Sequence, residues 1–311
     1  VASTVILFLY GLSSFSREIR DLGEAGLRRT LQAATANRML GFAAGAGFTA
    51  IVQSSSAVTS LAVALVDSGV ITFSNSLGIL VGANVGTTAT AWLVSFRLTG
   101  IGPIFIVLGA LFGVLPSPLR VIGKAVFYFG FIFFALDLVS NSLDPLKDSE
   151  RLPAMLAHAT NPIIGALIGA VLTAVVQSSS VVTGLSILLV QQGTIETQAA
   201  VSIIVGANLG SAATALIASI PMSRAAKRSA QANAILNGGG VLLFLPLTYP
   251  LTELVTSLSD NAGISVALAH LIFNLTVAAI ALAALKPLGS WLGPEDADGC
   301  PGGDRRRGDD G

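Results

Sequence analysis

Long apolar stretches separated by short polar ones run the length of the chain, at roughly 1–16, 40–66, 74–96, 101–115, 121–140, 162–190, 198–220, 230–248 and 264–285. A helix needs about 20 apolar residues to cross a bilayer, and several of these stretches are long enough. Polar loops are expected at 17–38, 144–158 and 223–228. Residues 1–15 lack a basic segment before them and a small-residue cleavage site after them, so they read as a first span or its remains. Residues 294–311 hold Gly, Asp and Arg with few apolar side chains, the composition of a solvated, disordered tail.

The pattern repeats. Residue n set against residue n+124 aligns 45–91 with 169–215 without a gap, and 25 of those 47 positions are identical. Gln53-Ser54-Ser55-Ser56 returns as Gln177-Ser178-Ser179-Ser180, Thr59 as Thr183, and Gly82-Ala83-Asn84 as Gly206-Ala207-Asn208. Shared membrane composition does not hold register and polar identity over such a length, so the chain carries an internal duplication.

The polar run Gln53–Ser56 divides its apolar stretch into arms of about 13 and about ten residues, each too short to span about 30 Å of hydrocarbon at 1.5 Å per residue. One continuous helix would set four polar side chains at mid-membrane. Polar, non-helical backbone at that depth is tolerated where it lines a cavity. Two re-entrant hairpins are therefore expected, over about 39–68 and 162–192, with their tips at Gln53–Ser56 and Gln177–Ser180. The second arm of each begins at the serines, turning free N–H groups and a positive helix end into the cavity, which suits an anion. Gly82-Ala83-Asn84-x-Gly86 and its twin lie mid-span and predict broken helices over about 74–96 and 198–220, with freed carbonyls for a small hard cation. Thr87, Thr88, Thr90, Ser211 and Thr214 add hydroxyls nearby.

With each hairpin on one side and every other stretch crossing once, eleven Lys and Arg, among them Arg17, Arg20, Arg38, Arg120, Arg224 and Lys286, fall on one face. Arg97, Lys147 and Arg151 fall on the other. Basic residues in short loops mark the cytoplasmic side. The count fits copies in opposite orientations, the inverted repeat of many secondary transporters.

Composition agrees: 53% of residues are hydrophobic and 11% charged, with a mean hydropathy of +0.79, against about 25% charged in soluble domains. A formal net charge of zero argues against nucleic acid, and a single cysteine, Cys300, rules out a disulfide within the chain. The repeated block has no His, Lys or Arg, and its acids, Asp67 and Glu196, fall at expected loop ends. A proton-coupled carrier usually needs a buried titratable group, so sodium is favoured. Asp137, the one acid well inside an apolar stretch, reads as a residue near the outer end of its helix. A serine hydrolase is disfavoured, since neither His158 nor His270 lies in the repeat to activate a serine.

At these residues the chain resembles the type II sodium–phosphate cotransporter family, its bacterial branch in particular, from Leu7-Phe8-Leu9-Tyr10-Gly11 to His270-Leu271-Ile272-Phe273-Asn274-Leu275. The resemblance implies that both tips bind phosphate, through Ser54, Ser55, Ser178 and Ser179 with Gln53 and Gln177. Sodium, as co-substrate, would be held by Gln53, Ser56, Thr59, Asn84, Thr88, Gln177, Ser180, Thr183 and Asn208. Animal members generally have Thr where Gln177 stands, and many bacterial members append a regulatory helical domain that the short tail does not match. The expectation is an all-α, polytopic, inverted-repeat carrier of the cell (inner) membrane: repeat 1 over 1–143, repeat 2 over 144–293, and a tail over 294–311. It imports inorganic phosphate with sodium, without a cofactor, and a homodimer is kept open. Carriage of sulfate or a dicarboxylate, or a membrane phosphate sensor, are the alternatives.

Overall fold

The computed structural model describes residues 2–33, 38–96, 100–116, 119–147 and 158–291. Among these residues every regular element is helical. The helices are α1 (Ala2–Ala33), α2 (Arg38–Val52), α3 (Ser55–Asp67), α4 (Phe73–Gly86), α5 (Thr88–Ser95), α6 (Gly102–Gly113), α7 (Leu119–Lys147), α8 (Pro162–Val176), α9 (Ser179–Gln191), α10 (Thr197–Ser219), α11 (Arg224–Phe244), α12 (Thr248–Leu258) and α13 (Ala262–Trp291). Five stretches are long and apolar enough to cross a membrane: Phe73–Ser95, Ile122–Ser142, Thr197–Ser219, Arg224–Leu258 and Ala262–Ala284. Ile104, Val107 and Leu111 on α6, and Leu167, Val171 and Val175 on α8, are large, apolar and exposed at helical spacing. Such stripes suit lipid as the solvent, and the chain is a multi-pass membrane protein.

The duplication carries through to the elements. Adding 124 to the bounds of α2 gives those of α8, and the same shift takes α3 onto α9 and Phe73–Ser95 onto Thr197–Ser219. The stop signals match as well. Gly69 and Gly193 follow α3 and α9 at φ 68° and 71°, a conformation that glycine adopts without a Cβ penalty. Val70 N–H then reaches Leu65 O at 2.9 Å, and Thr194 N–H reaches Leu189 O at 2.9 Å, the same Schellman closure in both copies.

Three expectations are corrected. The run 17–33 is not a loop but the continuation of α1. Residues 224–228 form the first turns of α11, started by Ser223, whose Oγ accepts from Ala226 N–H. Of the two predicted broken helices the second is not found, since α10 runs unbroken through Gly206 and Gly210, and the first divides only at Thr87, between α4 and α5, where φ −60° and ψ −26° stay helical. The reason lies in packing. A Cβ at Gly82 would strike the carbonyl oxygen of Phe42, one at Gly86 that of Ala46, and one at Gly45 that of Ile79. In the second copy Gly206, Gly210 and Gly169 meet Ala166, Ala170 and Ile203 in the same way. The glycines let α2 lie on α4, and α8 on α10, backbone to backbone. Arg97, Arg151 and the tail 294–311 lie outside the described residues.

Contacts also exchange between the copies as they would about a two-fold axis. α3 packs on α10 while α9 packs on α5, and α1 packs on α7. At the far end of the second arms, Asp67 Oδ1 accepts from Ser223 N–H at 2.6 Å, and Gln191 Nε2 donates to Ser95 O at 3.0 Å.

Candidate functional site

The chain leaves α2 at Gln53 and α8 at Gln177, the two non-glycine residues with positive φ among those described, at 58° and 56°. This left-handed step costs about 1–2 kcal/mol for an ordinary residue, and it turns the chain into the next helix at once. Ser54 and Ser178 follow in nearly the same extended conformation, φ −148° and −149°. Each serves as an N-cap: Ser54 Oγ accepts from Ala57 N–H at 3.2 Å, and Ser178 Oγ from Val181 N–H at 3.4 Å. The first N–H groups of a helix have no intrahelical acceptor. With the third taken by the cap, the amides of Ser55, Ser56, Ser179 and Ser180 remain at the tips.

Both tips line one cavity of about 470 Å³, to which Gln53–Ala57 and Val176–Val181 contribute. The third wall is α1, through Tyr10, Ser13, Ser16, Arg17 and Arg20 among others. The six serine hydroxyls of the tips, two glutamine amides, two helix N-termini and two guanidinium groups thus converge. Among the described residues, no acidic side chain lines the cavity. Chemically such a lining suits a small, strongly hydrogen-bonding anion.

The structure therefore brings together Gln53, Ser54, Ser55, Ser56, Gln177, Ser178, Ser179 and Ser180. Thr90 ties them from behind, its Oγ1 lying 2.7 Å from Gln53 Oε1 and 3.3 Å from Ser180 Oγ. The other predicted cation ligands do not line the cavity. Thr59 and Thr183 sit buried one turn along α3 and α9. Thr88 Oγ1 donates to Val85 O at 2.8 Å. Asn84 Nδ2 donates to Asn237 Oδ1 at 2.6 Å, and Asn208 Nδ2 to Ile204 O at 3.2 Å. Asn237 also reaches Ser211 Oγ at 3.5 Å, and Ser211 donates to Asn208 O at 2.7 Å, so one relay joins the paired asparagines. Asp137, on α7, accepts from Gly100 N–H at 3.1 Å and so braces the turn that precedes α6.

Arg17, Arg20 and Asn237 were missed at the sequence level. The arginines lie in a charged run that reads as a loop, and Asn237 lies outside the duplicated block. The usable signal for the arginines was that 17 and 20 continue the face of Tyr10 and Ser13 at helical spacing.

The sequence profile of the Na+/Pi-cotransporter family matches residues 7–141 and again 139–272. The chain belongs to the Na+/Pi-cotransporter family. It is 30% identical over 280 residues to "Uncharacterized protein YqeW" of Bacillus subtilis, covering 89% of this chain and 91% of that one. It is 31% identical over 276 residues to "Putative inorganic phosphate export protein YjbB" of Salmonella typhimurium, covering 88% of this chain but 51% of that protein, about half its length. Human "Sodium-dependent phosphate transport protein 2B" is 31% identical over 137 residues, covering 40% of this chain and 20% of its own. No solved structure matches the chain. For this family member, the two matched segments overlie the two copies.

Proposed function

We propose that the chain moves inorganic phosphate across the cell (inner) membrane together with sodium, by alternating access, and that an inward sodium gradient makes the net movement import. The observation that carries the reading is the single cavity lined by both serine tips and by Arg17 and Arg20. Ser54, Ser55, Ser178 and Ser179, with Gln53 and Gln177, contact phosphate. Sodium is held by neutral oxygens, drawn from Gln53, Ser56, Thr59, Asn84, Thr88, Gln177, Ser180, Thr183 and Asn208. The exchange of contacts between the copies and the basic-residue asymmetry support an inverted arrangement with α2–α3 and α8–α9 as re-entrant hairpins. That arrangement requires α6 and its flanks to complete a crossing.

Uptake of labelled phosphate into proteoliposomes tests the reading. Ser55→Ala or Ser179→Ala removes a hydrogen bond to a charged ligand, about 1.5–3 kcal/mol, so kcat/KM falls roughly 10- to 100-fold. Uptake indifferent to sodium would sink the coupling. The name of the Salmonella relative favours a second reading, export. Reversing the sodium gradient separates the two, and competition by sulfate or dicarboxylates tests the anion.

A further inference from the structure

The two copies share a backbone but differ in how their matching side chains are engaged. In the first, Gln53 is buried, its Nε2 donates to Ala50 O, and its Oε1 is bonded by buried Thr90, which also touches buried Ser180. The shift of 124 turns Thr90, Gln53 and Ser180 into Thr214, Gln177 and Ser56. None of those contacts is made. The Thr214 hydroxyl is buried with no hydrogen-bond partner among the described residues, Gln177 is exposed, and Ser56 is half-exposed. Space divides in the same way. Gln53 and Thr90 border a void of about 20 Å³ lined by Phe8, Leu12 and Phe133, whereas Ser56 and Thr214 border a cavity of about 720 Å³. One side is shut and tied; the other is open and untied.

We propose that Thr90 and Thr214 are alternate latches: positioning residues that bind the two tips together in turn, one in each end state of the carrier. The inference rests on the alternating-access reading above. In an inverted repeat, exchanging the conformations of the two copies generates the opposite-facing state. There Thr214 bonds Gln177 Oε1 and Ser56 Oγ, and Thr90 becomes the buried hydroxyl without a partner. Each state thus keeps one satisfied latch and one unsatisfied one. A buried unpaired hydroxyl is costly, so the intermediate with both latches open is disfavoured and the equilibrium between the ends stays balanced.

Thr→Val keeps the side-chain shape and removes the hydroxyl. Thr90→Val weakens the present state and relieves the opposite one; Thr214→Val does the reverse. The reporter is the rate at which a water-soluble maleimide labels Ser13→Cys, on the α1 wall of the cavity of about 470 Å³ that both tips line, in a Cys300→Ser chain reconstituted in vesicles. Thr90→Val is expected to slow labelling about fivefold, the equivalent of one net hydrogen bond. Thr214→Val does not slow it, Thr90→Ser behaves as the parent, and the Thr90→Val/Thr214→Val double variant returns close to the parent rate. Slowing by both single variants, or a double variant as slow as Thr90→Val, overturns the latch. Sodium-driven phosphate flux by the unmutated chain is measured in the same vesicles. Flux without the cancelling pattern sinks the latch alone, and the cancelling pattern without flux sinks the carrier reading alone.

Discussion

Arg17 and Arg20 do at the cavity what serine hydroxyls cannot. A hydroxyl offers one hydrogen bond at fixed range, whereas an exposed guanidinium attracts an anion from several ångströms away and loses that reach as salt rises. Both arginines are exposed where α1 lines the cavity with the tips. Arg17→Gln is therefore expected to raise the KM for phosphate several-fold, leave kcat within about twofold, and flatten the dependence of kcat/KM on ionic strength. Phosphate titrations at two salt concentrations check this, and an unchanged salt slope would remove Arg17 from anion capture. The serine tips were legible in the sequence because they are polar where everything around them is apolar, and because they occur twice. The arginines were not, since nothing local marks a charged run as the solvated end of a helix that passes a distant site.

At the element scale, Gly82 and Gly206 show how one sequence feature supports two opposite readings. Glycine in a helix interior costs about 1 kcal/mol relative to alanine, which suggests a break. In lipid the same residue allows two backbones to touch, and that use prevails here, because the carbonyls of Phe42 and Ala166 occupy the space a Cβ would need. The partner helix is 40 residues away in sequence, so local pattern alone does not choose between the readings. Gly82→Ala and Gly206→Ala must push α2 from α4 or α8 from α10, an overpacking of about 1–3 kcal/mol or more, and thermal unfolding in detergent should move down by several degrees. Gly47 is the control. A Cβ there meets nothing, and its counterpart is the exposed Val171, so Gly47→Ala should be neutral or slightly stabilising.

At the scale of the whole molecule, the relative orientation of the copies decides whether the two tips can alternate. Equivalent positions of an inverted repeat must face opposite sides of the membrane, whereas those of a parallel repeat share a side. Phe96 and Ile220 form such a pair. They are 124 apart, cap α5 and α10, and are exposed. Single cysteines at the two positions, in a Cys300→Ser background, should react with a membrane-impermeant maleimide from opposite faces of oriented vesicles. Phe96→Cys should be labelled from the outside of right-side-out vesicles, consistent with the sparse basic charge near it, and Ile220→Cys only after the interior is opened. Labelling of both from one face would make the repeat parallel. It would leave the serine cavity and the family intact but remove the symmetry that lets Thr90 and Thr214 trade places.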